Sequence, residues 1–416
     1  MPTIGYLSGA PRVSTRPTAE SGGPRSHILG ILAGFGALGW QMETFIVGDS
    51  LPPRLVAHSE QMMRANHFSA LVADLSRLAL RYLYRRAALK KLGQVDWVYE
   101  RFATFQALGK AFQSLGTAWI LETNGTYYAE AKSDRRTMVL SGIARKLELQ
   151  AYRDCDVLIC ISNTLKDLVC REAGIPESKV IVVPNGVDSE FFSPDNQSPN
   201  RVFEGFTIGF VGRIVQWQGL DLLMRAVCQL KQEENMDINL VFVGEGLQRP
   251  PWEKLMHEFG LAANVRFLRQ VPLDAVPSHI AGFDVGFEGK TLLRSGTMYH
   301  SPLKIYEYLA MGKPVIASAF EDSCRVIRDR ETGFLFMPGD LRSLKQAIVE
   351  AFHSRDKLSA MGRVGRESVK TQHSWNSRVA QMVPEILRIL EARSGIVPQE
   401  TLDLAPATLT SHQKQF

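Results

Sequence analysis

The sequence predicts an α/β protein of two doubly wound, Rossmann-like units, and three observations carry that prediction. Short apolar runs alternate with helical patterns along most of the chain, as in a parallel sheet covered by helices. The runs fall into two successive sets. Between them lies NGVDSEFFSPDNQSPNRVFEG, rich in Pro, Asn, Ser and Asp, which is linker composition. A chain of 416 residues is also too long for one compact core, so two domains are expected.

In the first half the strand candidates are TIGYLS, METFIVG, VDWVYER, AWILETN, DVLICIS and KVIVVPN. In the second they are FTIGFVG, INLVFVGEG, VRFLRQV, DVGFEGK, KPVIAS and GFLFMPG. The boundary falls near residues 190–204, which gives a first domain over 1–190 and a second over 205–373. SWNSRVAQMVPEILRILEARSG (374–395) reads as a terminal helix interrupted by Pro384. From residue 396 the chain is polar and aperiodic and reads as a disordered tail.

The bulk composition narrows the function classes. The chain is 45% hydrophobic and 22% charged, as in a soluble globular protein, with a formal charge of +5. That balance does not imply nucleic acid; it suits anionic small molecules or an anionic membrane surface. The five cysteines are odd in number, and Cys155 and Cys160 fit neither a zinc knuckle nor a CxxC pair, so a reduced, cytoplasmic protein is expected. MPTIGYLSGAPRVS shows no basic region leading into an apolar one, and no signal peptide is expected. No apolar run is long enough to predict a spanning helix.

AGFGALG (33–39) has the G-x-G-x-x-G spacing of a dinucleotide fingerprint. That fingerprint requires a strand before it and a helix after it. Here the order is reversed: RSHILGILAGFGALGW has helical spacing, Gly39 fits a helix stop, and the strand METFIVG comes afterwards. A dehydrogenase reading would depend on this run. Gly22 and Gly23 are better placed, since they lie between the first strand and the first helix. Glycines there let backbone approach a ligand, and the helix N-terminus offers free N–H groups to an anion; a plain surface loop is the alternative.

SPLKIYEYLAMGKPVIAS (301–318) reads as a helix, a turn and a buried strand, with Ser301 as N-cap and Pro302 as first helical residue. Lys304 then opposes the positive end of the helix dipole unless an anion faces it. Glu307 lies one turn further along the same face. An ammonium with helix N–H groups suits a diphosphate, and a carboxylate suits a ribose diol; a surface ion pair is the alternative. FVGRIVQWQG (210–219) ends a strand with Gly212 and Arg213, at the edge where open α/β sheets bind ligands. Arg offers a permanently charged fork to phosphate oxygens, though packing on Trp217 is also open. VGEG (243–246) repeats the design with Glu245. No Walker A motif is present, against a P-loop NTPase.

GFVGRIVQWQGLDLLMRAV, VPNGVD and SPLKIYEYLAMGKPVIAS together resemble glycosyltransferase family 4 (glycosyl transferases group 1), retaining enzymes of the GT-B fold, over nearly the whole chain. The resemblance implies two Rossmann-like domains facing across a cleft, with the last helix packing back on the first domain. It implies a nucleotide-sugar donor on the second domain and a sugar, lipid-linked or small-molecule acceptor on the first, with no cofactor; since no D-x-D follows a strand and no His cluster is present, no metal is expected either. By motif, Arg213 would neutralise the diphosphate, helped by Lys304, and Glu307 would hold the ribose. Gly212, Gln218, Glu245, Val271 (in RQVP, 269–272, near the base), Ser301 and Leu303 would complete the donor site. Gly22, Gly23, Glu100, Glu122 and Asn124 are acceptor-side candidates, with Arg101 beside Glu100; capping and ion-pair roles remain open for these. Two positions depart from the family pattern. Gln218 stands where a Lys is usual, and Tyr299 stands where the first of two paired Glu residues is usual. An epimerase or hydrolase on the same plan, or a non-catalytic nucleotide-sugar-binding subunit, therefore stays open.

LSRLALRYLYRRAALKKLG (75–93) has six basic residues and no acid. Leu75, Leu78, Tyr82 and Leu89 fall roughly on one face, with Arg77, Arg81 and Arg85 on another. The segment suits peripheral contact with anionic lipid at the inner face of the membrane, or packing on its own domain.

Overall fold

The computed structural model describes residues 2–17, 22–52, 67–133, 138–294 and 296–394. The tail from residue 396, read as disordered from the sequence, lies outside the described residues.

Every strand candidate forms a strand. The first sheet comprises β1 (Thr3–Ser8), β2 (Gln41–Ile46), β3 (Trp97–Arg101), β4 (Ala118–Thr123), β5 (Val157–Cys160) and β6 (Val180–Val182), in spatial order β2-β1-β3-β4-β5-β6. The second comprises β7 (Thr207–Val211), β8 (Asn239–Val243), β9 (Val265–Leu268), β10 (Val285–Glu288), β11 (Val315–Ser318) and β12 (Gly333–Phe336), in order β12-β11-β10-β7-β8-β9. All pairings are parallel. Parallel strands need crossovers, and helices supply them, covering both faces. This explains why the strands read as unbroken apolar runs rather than alternating ones.

The Gly22–Ala37 helix and the Trp375–Ser394 helix pack together on the first sheet, sharing a core with Ile4, Tyr6, Tyr99, Ile120 and Ile159. Here the glycine run finds its role. A Cβ on Gly30 would stand 2.3 Å from Trp375, and one on Gly34 would stand 2.5 Å from Val379. Gly30 and Gly34 are a contact surface for another helix, and the helix precedes β2, as the reversed order requires. The terminal helix is not interrupted at Pro384. It runs continuously from Trp375 to Ser394, because Met382, Val383 and Ile386 around the proline are held in the core.

The two halves are joined by more than this helix. Leu293, Met298 and Tyr299, from the segment after β10, bury in the first half's core. Glu321 reaches across and accepts from the amides of Asn163 and Thr164 at 2.7 and 2.8 Å. It thereby satisfies free N–H groups at the start of the Asn163–Ala173 helix.

Candidate active site

At the carboxyl edge of the second sheet, Gly212 follows β7 with φ +144°, a conformation strained for any other residue. A Cβ added there would lie 3.5 Å from Lys304 Cε. The loop carrying Arg213 thus sits against the start of the Leu303–Ala310 helix. Arg213 is exposed and makes no hydrogen bond or ion pair with a described residue. Trp217, its alternative partner, packs against the first half's core.

Lys304 is buried. Its Nζ lies 2.8 Å from Glu288 Oε2, donates to Gln218 Oε1 at 2.8 Å, and stands 4.7 Å from the centre of the Phe210 ring. The lysine therefore occupies the space beside the position where Gln218 departs from the family pattern. Glu288, at the end of β10, also faces Lys290 Nζ at 3.4 Å. It is the anion that offsets the unfavourable dipole position of Lys304. Burial disfavours the ionised carboxylate, but Lys304 and Lys290 together hold its pKa below the ordinary value. Burial pushes Lys290 down to about 8, against the pull of Glu288. The sequence reading passes over Glu288 and Lys290. Their signal lay in DVGFEGK, a strand whose carboxyl end carries two charges, the same feature that singled out Arg213.

The Lys304–Glu307 ion pair left open by the sequence does not form, since Lys304 turns to Glu288. Glu307 is half-buried, and its carboxylate has no hydrogen-bond partner among the described residues. Burial raises its pKa to about 7, with Lys304 pulling the other way.

The remaining donor candidates are dispersed. Ser301 is not the N-cap: the helix begins at Leu303, with Pro302 as cap residue and no side-chain capping bond. Ser301 Oγ instead donates to Asp322 Oδ2 at 2.7 Å and accepts from Asn185 N at 3.0 Å. A buried carboxylate and a buried amide take the hydroxyl away from the helix end. Glu245 is engaged by Arg249 Nη1 at 2.6 Å. Val271 is half-buried after β9, against the second half's core. Leu303 packs toward the first half, and a Cβ on Gly23 would meet its Cδ1 at 3.6 Å. Gly22 and Gly23 are the first residues of their helix rather than part of the loop before it. The helix start of the first half so faces the helix start that carries Lys304.

The carboxylates proposed on the acceptor side are internal. Glu100 Oε1 and Oε2 accept from the amides of Leu108 and Gly109, each at 2.8 Å, and burial raises its pKa to about 7. Its role is to hold a turn, and it does not reach the cleft. Glu122 accepts from Tyr99 Oη at 2.7 Å and Asn124 Nδ2 at 2.8 Å, and pairs with His27 Nε2 at 2.7 Å. Burial opposes its ionisation, but His27, Arg101 and Tyr99 hold its pKa at about 2. Between the halves, Tyr299 Oη donates to Glu130 Oε1 at 2.9 Å, and His300 Nε2 lies 3.2 Å from the same oxygen. Neither Glu130 nor His300 stands in a sequence motif; only the fold brings them together.

Two parallel α/β units meeting across a groove, with a cationic rim on the second, define the GT-B class. The family described as Glycosyl transferases group 1 matches residues 194–368, and Glycosyltransferase Family 4 matches residues 21–191. The chain belongs to the GT-B glycosyltransferases. It is 26% identical over 261 residues to the GDP-mannose-dependent alpha-(1-6)-phosphatidylinositol monomannoside mannosyltransferase of Mycolicibacterium smegmatis, covering 61% of this chain and 68% of that protein. The match to the Mycobacterium tuberculosis counterpart spans 64% of that protein. Among solved structures, sucrose-phosphate synthase from Thermosynechococcus elongatus superimposes with a TM-score of 0.68 at 17% identity, over 94% of this chain and all of that one. Anabaena HepE in complex with UDP and glucose gives 0.63 at 16% identity, over 92% of this chain and all of that one. These structures share the fold.

Proposed function

We propose that the chain transfers a sugar from a nucleoside-diphosphate sugar to an acceptor hydroxyl, with retention of configuration and without a metal. One arrangement carries the reading. Lys304 lies against the Gly212–Arg213 loop, and one turn away Glu307 presents a carboxylate with no hydrogen-bond partner among the described residues. Arg213 and Lys304 would neutralise the diphosphate as the glycosidic C–O bond breaks, which lowers the barrier by stabilising the leaving group. Glu307 would accept the two ribose hydroxyls. The acceptor attacks on the face the diphosphate leaves, and the departing phosphate oxygen takes the acceptor's proton. The curated relative uses GDP-mannose and the solved neighbour holds UDP, so the base is left to experiment. A panel of UDP-, GDP- and ADP-sugars should include one that raises the thermal midpoint by mass action. If no nucleotide sugar stabilises the protein, the reading falls. Conversion of the donor at full rate without any acceptor, to free nucleotide or to an epimerised nucleotide sugar, would favour a hydrolase or an epimerase.

Peripheral membrane contact belongs to the same proposal. The His67–Leu92 helix leaves Phe68, Leu75, Tyr82 and Leu83 more than half exposed, beside exposed Arg86, Lys90 and Lys91. The predicted faces are redistributed. Leu78 and Leu89 pack inward, Arg77 pairs with Asp74 at 3.3 Å, and Arg85 Nε donates to Ala107 O at 2.9 Å. The outward face is thus apolar with a basic end, as a helix lying on anionic lipid requires. No helix among the described residues is long and apolar enough to cross a membrane. Co-sedimentation with vesicles should depend on anionic lipid and weaken with salt; equal recovery with neutral vesicles removes this part.

A further inference from the structure

At the carboxyl edge of the first sheet, four buried polar atoms lack a hydrogen-bond partner among the described residues: Arg101 Nε, Tyr6 Oη, Ser8 Oγ and Tyr127 Oη. The strand register places them together. Ser8 is the cross-strand partner of Arg101, and Tyr6 that of Tyr99, two residues earlier on the face that Arg101 shares. The Tyr6 and Tyr99 rings stack at 5.6 Å. Tyr127 and Tyr6 both lie within the electrostatic reach of Arg101, and Arg12, in the loop after β1, acts on Tyr127 as well.

Arg101 is 8% exposed, yet its guanidinium forms no ion pair or hydrogen bond with a described residue. Its cross-strand neighbour Glu122 acts on it through space but forms no ion pair with it, its oxygens accepting from Tyr99 and Asn124 and pairing with His27. Glu122 and the surrounding tyrosines offset the charge through space, but a buried N–H and three buried hydroxyls without hydrogen-bond partners are costly. Such a cluster is explained when an anion completes it. The cluster also borders the contact between the two halves. Tyr127 begins the helix whose Glu130 meets Tyr299 and His300 of the second half.

We propose that Arg101, with Tyr6, Ser8 and Tyr127, binds the phosphate group of a phosphorylated acceptor. A guanidinium fork and three hydroxyls offer more donors than the two oxygens of a carboxylate accept in one plane, and they suit a tetrahedral ester. The proposal rests on the reading of the first half as the acceptor side, and it specifies the acceptor's chemistry.

The test is calorimetric binding to the full chain of glycerol 3-phosphate (a monoester), glycerophosphoinositol (a diester, as in a lipid headgroup), glycerol and glycerate. At least one ester should bind tenfold or more tightly than glycerol and glycerate, and which ester does so separates a soluble acceptor from a lipid one. Arg101→Gln should weaken that ester at least tenfold and Tyr127→Phe severalfold, while Arg213→Ala leaves it unchanged. Should Arg101→Gln fail to fold, Tyr127→Phe and the ligand series carry the test. Esters no tighter than glycerol overturn the site; so does an affinity indifferent to Arg101 and Tyr127, or one lost with Arg213. UDP-glucose and GDP-mannose titrated into the same protein test the transferase reading separately. Ester binding through Arg101 without nucleotide-sugar binding would sink that reading and keep the site.

Discussion

Lys304 Nζ stands 2.8 Å from Glu288 Oε2, and Lys290 approaches the other oxygen of the same buried carboxylate. The row cation–carboxylate–cation fixes the ammonium that faces the Gly212 loop. Breaking a buried pair from one side leaves an uncompensated charge and costs about 3–5 kcal/mol. Glu288→Gln is therefore expected to lower the urea midpoint and to weaken nucleotide-sugar binding, because Lys304 loses its aim. The double variant Glu288→Gln/Lys304→Met should be destabilised by less than the sum of the single variants. Additive effects would show that the two residues are not coupled.

The pH dependence of donor binding should report Glu307. Burial places its pKa at about 7 in the free protein, against an ordinary carboxylate value near 4.5, with Lys304 opposing. A raised carboxyl pKa means the folded protein holds a proton that the unfolded chain releases, so this group's contribution to stability declines as pH rises from about 4.5 to 7. Binding has the opposite sign, because the ribose diol needs the ionised form. Affinity for a nucleotide sugar, whose diphosphate does not titrate in this range, should be full above pH 8 and about tenfold weaker at pH 6. Glu307→Gln should bind more weakly and show no step. A wild-type profile flat from pH 6 to 8 would remove the ribose assignment.

Arg213→Ala removes an exposed cation with no partner among the described residues and should leave the thermal midpoint within about 1–2 °C, as expected of a surface change below ~0.5 kcal/mol. Its effect belongs to turnover. A phosphate contact that strengthens as the diphosphate departs is worth about 1.5–4 kcal/mol, so kcat/KM should fall roughly tenfold to a thousandfold. Unchanged steady-state kinetics would detach Arg213 from the diphosphate.

Local pattern was enough for the fold, and it nominated the donor-side residues. Strands such as β7, β8 and β10 are apolar runs ended by Gly or a charge, and parallel sheets put such ends on one edge, which is why Arg213 on one segment, and Lys304 and Glu307 on another, could be proposed for one site. Three kinds of feature were not legible. The Glu288–Lys304 pair joins a strand end to a helix start sixteen residues on, and nothing in either segment names the other. Ser301 has a good N-cap's identity, but Asp322 and Asn185 compete for its hydroxyl only in the folded chain. Glu100 and Glu122 stand at strand ends like Arg213, yet their neighbours consume them internally. A strand end marks where a ligand can bind, and burial with partners decides whether a given side chain is free to meet it.

The glycines of the Gly22–Ala37 helix make a prediction that a dinucleotide site does not. Gly30 and Gly34 lie one helical turn apart and admit Trp375 and Val379 of the terminal helix, at distances no Cβ tolerates. Gly36, in the same run, has open space around it. Adding a methyl at Gly30 would force the Trp375 ring out of a packed core, which overpacking data put at about 1–3 kcal/mol. At Gly36 the same change meets nothing and replaces a poor helix former with the best one, a gain of up to about 1 kcal/mol. Gly30→Ala should therefore lower the thermal midpoint while Gly36→Ala holds or raises it, and neither should change binding of a nicotinamide or flavin cofactor. Equal losses at both positions would mean that the run serves something other than the docking of the terminal helix.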